Sequence, residues 1–198
     1  AERGAFPNFK GSIYDRPGRR PVRNATVSTI APTGTLSIIA GCSSGVEPLF
    51  GLTFVRRVMD GAELIEVNPV FEKIARERGF FSDTLMKEIA EHGGCTGINS
   101  VPADIQRIFV TAHDISPEWH IRMQAAFQQY TDNAVSKTVN FPHSATAKDV
   151  EKVYMLAYQL GCKGVTIYRD GSRDEQVLST GATEKARKAA QLAVSAPA

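Results

Sequence analysis

An α/β chain with one main domain is what this sequence predicts, and three observations predict it. Short β-branched runs alternate with longer stretches whose apolar residues recur at helical spacing. The segment from 136–141 through an amphipathic stretch to 164–168 has the length and order of a βαβ unit, which favours parallel pairing. The composition, 42% hydrophobic and 22% charged over 198 residues, is enough for a packed core.

The elements follow in order. Residues 1–23 are rich in Gly, Pro and Arg, with DRPGRRPVR at 15–23, and read as an irregular, extended and solvated loop. The alternative there is a basic binding arm. The β-branched run ATVSTIA at 25–31 reads as a strand. It enters a turn at Pro32-Thr33-Gly34-Thr35, and LSIIAG at 36–41 then reads as a short buried helix. Residues 50–58 and 64–67 read as a strand pair around a turn at Asp60-Gly61. Asn68 followed by Pro69 is an N-cap with proline at the first helical position, ahead of Val70, Phe71, Ile74 and Ala75. Ser82 caps a second helix with Leu85, Met86, Ile89 and Ala90 on one face, stopped by Gly93-Gly94. A further candidate helix spans 102–110. Ser116-Pro117 opens another, with Trp119, Met123, Phe127 and Tyr130 as its expected core face.

The run SKTVNF at 136–141 reads as a strand ended by Pro142. Thr146 caps a helix expected to turn Val150, Val153, Tyr154, Ala157 and Leu160 inward, with Gly161 as its stop. GVTIY at 164–168 is a strand closed by the turn Arg169-Asp170-Gly171-Ser172. The domain is accordingly read as 1–177, and the Ala-rich 178–198 as a flexible tail or linker.

Several function classes recede. Three cysteines (Cys42, Cys95, Cys162) without CxxC or Cys/His spacing make neither a disulfide framework nor a structural zinc site, and a reducing, cytoplasmic setting is the simpler expectation. No apolar run approaches the ~20 residues that span a bilayer, so no membrane partner is expected. A net charge of +2 does not argue for nucleic-acid binding. The first residue is Ala, which leads us to expect a processed chain or a piece of a longer one.

The segment APTGTLS at 31–37 is the most informative. A small-residue loop at a strand–helix junction exposes backbone N–H groups, adds hydroxyls from Thr33, Thr35 and Ser37, and sits at the positive end of a helix. Such a loop suits phosphate. It lacks the Gly-Lys-Ser/Thr ending of a Walker loop and has no GxGxxG. The bland reading is a tight turn with Thr33 capping the next helix.

Three co-linear motifs carry a family resemblance. They are Ala31 to Ser37 followed by Ala40-Gly41-Cys42-Ser43-Ser44-Gly45-Val46-Glu47-Pro48; Ser136-Lys137-Thr138-Val139-Asn140-Phe141-Pro142; and Gly161-Cys162-Lys163-Gly164-Val165-Thr166-Ile167-Tyr168-Arg169-Asp170-Gly171-Ser172-Arg173. Together they resemble ribonucleotide reductase large subunits over roughly residues 6–173. The resemblance implies the later strands and helices of a ten-stranded α/β barrel, with Thr33, Gly34, Thr35, Leu36 and Ser37 holding the substrate's phosphates. Tyr168 is followed by Arg169, so the tyrosine pair that relays a radical in one class of the family is missing. The sequence therefore resembles the adenosylcobalamin-dependent class, in which this chain would be part of an enzyme making deoxyribonucleotides by thiyl-radical chemistry. The family's Asn-x-Cys-x-Glu motif and its C-terminal cysteine pair are absent from this sequence, so the isolated chain is expected to be inactive. The resemblance further implies the rest of a reductase chain, a ribonucleoside di- or triphosphate substrate, a thioredoxin-like reductant and self-association. A partial barrel with unpaired edges is expected to be marginally stable alone or to associate. The rival reading is a non-catalytic remnant that binds a nucleotide or a partner.

The remaining candidates have plainer readings. Cys42 and Cys162 are expected to be buried and inert, and Cys95 in GGCTG to be exposed. His92, His113, His120 and His143 lack paired ligand spacing and read as surface or loop histidines, with no metal site. Glu47, a candidate active-site lining residue, either orients the loop or caps a helix. Tyr168 either lines the barrel interior near the nucleotide or packs as an ordinary strand tyrosine. Trp119, Phe127 and Tyr130 are expected in the core.

Overall fold

A computed structural model describes residues 2–57 and 63–172. The turn at Asp60-Gly61, Arg173 and the segment 178–198 lie outside those residues. The chain runs α1 (Gly34–Ala40), β1 (Thr53–Arg57), β2 (Glu63–Val67), α2 (Pro69–Glu77), α3 (Asp83–His92), α4 (Ala103–Ile108), α5 (Pro117–Gln128), β3 (Thr138–Phe141), α6 (Ala147–Gln159) and β4 (Thr166–Arg169).

Local chemistry sets most boundaries. The Asn68 side chain accepts from the Val70 and Phe71 amides while Pro69 supplies a residue with no N–H to satisfy, so α2 starts there. Ser82 accepts from Leu85 to open α3. Thr146 and Asp149 make a reciprocal capping box at the start of α6. Helix α3 ends where Gly93 takes φ 92°, a conformation that costs a side chain dearly.

Two cores result. Strands β1 and β2 pair antiparallel from Thr53↔Val67 to Arg57↔Glu63. Beside them Leu52, Phe71, Leu85, Met86, Ile89 and Ile105 form the first apolar cluster. Phe71 meets Phe80 and Phe109 edge-on. The second cluster is the expected βαβ unit. Strands β3 and β4 pair in parallel from Thr138↔Thr166 to Phe141↔Arg169, α6 crosses between them, and Ile121, Val139, Phe141, Val153 and Ala157 close the core. Arg169 clamps the loop after β3, donating from Nε to the Ala145 carbonyl and from the guanidinium end to that of His143.

Several expectations need correcting. The run 25–31 is extended but makes only one parallel bridge, Ile30↔Val135. The reason is a competing acceptor: the Asp132 carboxylate takes the Val27 and Ser28 amides at 2.9 and 3.2 Å, and these are then lost to a ladder. Helix α1 is not buried. Leu36, Ile38 and Ile39 are 65%, 82% and 78% exposed, because no other described layer lies over them. The arm is irregular as expected but not extended. The Phe6 amide bonds back to Val22, and Phe6 packs edge-on against Phe9 and Tyr14.

Helix α5 reverses its expected faces. Trp119, Met123, Phe127 and Tyr130 point outward, and His120, Ile121, Gln124, Ala125 and Gln128 are buried. Polar chemistry makes this favourable. The Gln124 amide nitrogen donates to the carbonyls of Val135 (3.0 Å) and Gly164 (2.7 Å), where the paired strands begin. Gln128 donates in the same way to Thr131 and Asn133 and accepts from the Lys163 amide. Buried carbonyls need donors, and two glutamines supply them where leucines could not. On α6, Val153 and Ala157 are buried as expected, but Tyr154 is half exposed.

The cysteines also change places. Cys42 is exposed, Cys162 is partly buried, and Cys95 is fully buried with its thiol directed at the Phe109 carbonyl. Burial, with help from the Asp114 charge, pushes the Cys95 thiol up to about 11. His92, His113 and His143 are exposed as expected, whereas His120 is buried.

The glutamine tie predicts a measurable cost. Gln124→Leu keeps the volume but strands two carbonyls, and should lower unfolding free energy by about 1–3 kcal/mol in urea titrations. An unchanged midpoint would show that water satisfies both groups equally well.

Candidate functional site

The segment from Thr33 to Glu47 is a closed unit pinned at its base. Thr33 is the only described non-glycine residue with positive φ, at φ 51° and ψ 27°. A β-branched residue does not adopt that conformation without being held. Two bonds hold it: the Ser37 amide donates to the Thr33 carbonyl at 2.9 Å, and the Gly45 amide donates to the Thr33 hydroxyl at 3.1 Å. Gly45 itself approaches Ala31 so closely that a Cβ would lie 3.3 Å from the Ala31 carbonyl oxygen, and its φ is +53°. A side chain there would force the two ends of the unit apart.

That arrangement answers the capping question. The Thr33 hydroxyl is spent on Gly45, so α1 has no side-chain cap. The amides of Gly34, Thr35 and Leu36 form the first helical turn, where no acceptor exists within the helix. Gly34, Thr35 and Leu36 are exposed, and the Ser37 hydroxyl turns back to the Gly34 carbonyl at 2.6 Å. Of the five loop residues named from sequence, Gly34, Thr35 and Leu36 present the open amides, while the Thr33 hydroxyl and the Ser37 amide and hydroxyl are bonded within the unit.

Glu47 ties this unit to β3. One carboxylate oxygen accepts from the Thr138 amide at 2.5 Å and the other from the Lys137 ammonium at 2.6 Å. The Lys137 side chain is only 1% exposed. Its ammonium also donates to the Thr138 carbonyl at 2.6 Å and to Nδ1 of His120 at 2.8 Å. Three protons meet three acceptors, which is the full capacity of the group. Nε2 of His120 faces the Ala112 carbonyl at 3.0 Å. A carbonyl only accepts, so the proton sits on Nε2 and the ring is neutral, leaving Nδ1 to accept from Lys137. Burial, then the Lys137 charge, holds the His120 pKa below its ordinary value. Burial likewise pulls the Lys137 pKa down, opposed by the Glu47 carboxylate.

Of the two roles weighed for Glu47, orienting the loop is therefore the one the geometry supports. Tyr168 lies opposite Asn140 across β3 and β4 and is half-buried, a position that a packed tyrosine and a site-lining one share. The sequence alone does not bring Lys137 or His120 to Glu47. The available signal was strand alternation: Lys137 shares a face with Val139 and Phe141, both buried. A groove of about 450 Å³ opens beside the loop entry, lined by Ile30, Ala31, Pro32, Gln124, Lys137 and Thr166 among others. A second, of about 660 Å³, lies between the start of α5 and α6. Among the described residues no three His, Cys, Asp or Glu side chains are grouped to hold a metal ion, and no helix is long and apolar enough to cross a membrane.

The three motifs thus meet in one place, where the 31–48 segment is tied through Glu47 to the start of β3 and β3 pairs with β4. The chain belongs to the ribonucleotide reductase barrel-domain family, whose profile matches residues 3–168. It is 51% identical over 183 residues to the vitamin B12-dependent ribonucleoside-diphosphate reductase of Thermoplasma acidophilum, covering 92% of this chain and 24% of that protein. It is 51% identical over 181 residues to the enzyme of the same name from Mycobacterium tuberculosis strain CDC 1551, covering 91% and 26%. Among solved structures, the Actinobacillus ureae class Id ribonucleotide reductase alpha subunit matches with a TM-score of 0.63 and 25% identity, over 84% of this chain and 28% of that one. This chain thus spans about a quarter of the length of the relatives it matches.

The neutral, buried His120 gives the unit a pH dependence. Above about pH 6.5 folded and unfolded chains carry the same neutral ring. Below it the unfolded chain takes up a proton that folded His120 resists, so stability is lost as pH falls toward the folded value. The urea midpoint should fall between about pH 7 and about pH 5, and fall less steeply in a His120→Gln chain. Equal slopes would remove His120 as the cause.

Proposed function

We propose that this chain is part of an adenosylcobalamin-dependent ribonucleoside-diphosphate reductase and supplies its substrate-phosphate loop. The observation that carries the reading is the open first turn of α1, left uncapped because the Thr33 hydroxyl is committed to Gly45. Its N–H groups and the Thr35 hydroxyl suit the oxygens of a diphosphate, and the positive end of the helix adds to the attraction. Holding the phosphates there fixes the ribose for a thiyl radical supplied from another part of the enzyme. Such positioning can remove several kcal/mol of the barrier as prepaid entropy. The names of the relatives support a diphosphate as substrate.

Adenosylcobalamin comes to this reading from the resemblance and from the names of the relatives. When bound it would supply the radical. The grooves among the described residues, about 450 and 660 Å³, are the size of sites for drug-sized ligands, and a corrinoid is much larger. These two grooves alone do not seat it. The same reading brings the rest of the reductase chain, a thioredoxin-like reductant and self-association as partners. Three free cysteines accord with a reducing, cytoplasmic compartment.

Gly34 gives a clean test. A Cβ added there meets nothing within 4 Å and its φ is not positive, so Gly34→Ala should fold normally and, as a glycine removed from a helix, lose no stability. The new methyl would stand where the phosphate oxygens approach the amides. In the intact reductase carrying this sequence, KM for the ribonucleoside diphosphate should rise on the order of tenfold. An unchanged KM in a normally melting Gly34→Ala enzyme would sink the phosphate-loop reading. A wild-type protein that binds the nucleotide but never turns it over with adenosylcobalamin would favour the non-catalytic remnant.

A further inference from the structure

The buried Lys137 invites a direct role, since a cation beside an anion loop could reach the phosphate itself. Its geometry argues otherwise. All three ammonium protons already have acceptors, in Glu47, His120 and the Thr138 carbonyl, and the side chain is 1% exposed. Nothing is left to donate. The charge must act through what it holds.

What it holds is Glu47. That carboxylate spans the Lys137 ammonium and the Thr138 amide and so locks Glu47 to the start of β3. Two residues earlier, Gly45 reaches the Thr33 hydroxyl and packs on Ala31. The tie therefore runs from β3 through Glu47 and Gly45 to the strained backbone of Thr33, the residue that aims the first turn of α1. A well-packed apolar group in place of a buried ion pair is often neutral or favourable for stability, so stability alone is a weak reason for this arrangement. Fixing one geometry of the loop is a better one.

We propose that Lys137 is a positioning residue for the substrate phosphates, acting through Glu47 to hold the 33–37 loop in its binding geometry. The inference rests on the phosphate-loop reading above. Lys137 touches neither substrate nor reacting atoms. Its removal should leave the chemistry intact and weaken the binding of the nucleotide.

The test uses the intact reductase and two enzymes: Lys137→Met, and Lys137→Met combined with Glu47→Gln. The single variant leaves Glu47 half-buried without its cation and can fail to fold; the double variant leaves no charge behind and decides the matter in that case. The expected result is a KM for the ribonucleoside diphosphate raised about tenfold, with kcat at saturation retained and cooperative melting preserved in the double variant. A purely structural role would instead lower the melting temperature and the active fraction while leaving KM alone, and that outcome overturns the proposal. Gly34→Ala separates the two readings. If it raises KM while neither Lys137 enzyme does, only the positioning role fails; if it too leaves KM unchanged, the phosphate loop fails with it.

Discussion

A buried ammonium must be paired, and the arrangement around the loop can be traced to how Lys137 meets that demand. Removing an ammonium from water costs several kcal/mol unless each proton finds an acceptor. Here the acceptors come from three parts of the chain: Glu47 behind the loop, His120 on α5, and the backbone of Thr138 itself. Satisfying one charge thus joins segments 90 and 17 residues away to a single point on β3. The neutral ring of His120 follows from the same demand, since a second cation at that distance would oppose the first.

Seen from this point, the two apolar cores have separate tasks. The cluster around Phe71 is the better packed in aromatic terms and supports the β1–β2 pair. The cluster around Val139 and Phe141 holds the parallel strands, and the two buried glutamines of α5 complete it by taking carbonyls that the short strands leave open. The second unit meets the Thr33–Glu47 segment at Glu47, and the stretch leading into that segment through the bridge from Ile30 to Val135.

How much of this was legible in the sequence depended on whether local chemistry decided the matter. Asn68-Pro69, Ser82 and Thr146 are caps whose side chains act within four residues, and the helices start where they say. The βαβ unit was legible from length and order. The turn at residues 32–35 was legible because proline and glycine between two apolar runs leave few other conformations, although the capping expected of Thr33 was lost to its bond with Gly45. Helix α5 departs from its expected face because hydrophobicity does not choose that face. The stripe through 120, 124 and 128 has helical spacing as good as the aromatic stripe, and it wins because open carbonyls at Thr131, Asn133, Val135 and the distant Gly164 reward amides over rings. Residues 25–31 lost their ladder to Asp132, more than a hundred positions away, which no local reading can see. Lys137 was overlooked because lysine is read as solvent-facing; its phase with Val139 and Phe141 argued the opposite.

The inverted polarity of α5 has an optical consequence. Trp119 is the chain's single tryptophan, and it stands 65% exposed on the outer stripe of that helix, with the Arg122 guanidinium near its ring. Intrinsic tryptophan emission from this chain is therefore a local gauge of one surface, red-shifted while water reaches the indole and blue-shifted when another surface excludes it. Because the stripe is turned away from the buried face that carries Ile121, Gln124 and Gln128, that signal reports on whatever comes to rest on the helix's outer side.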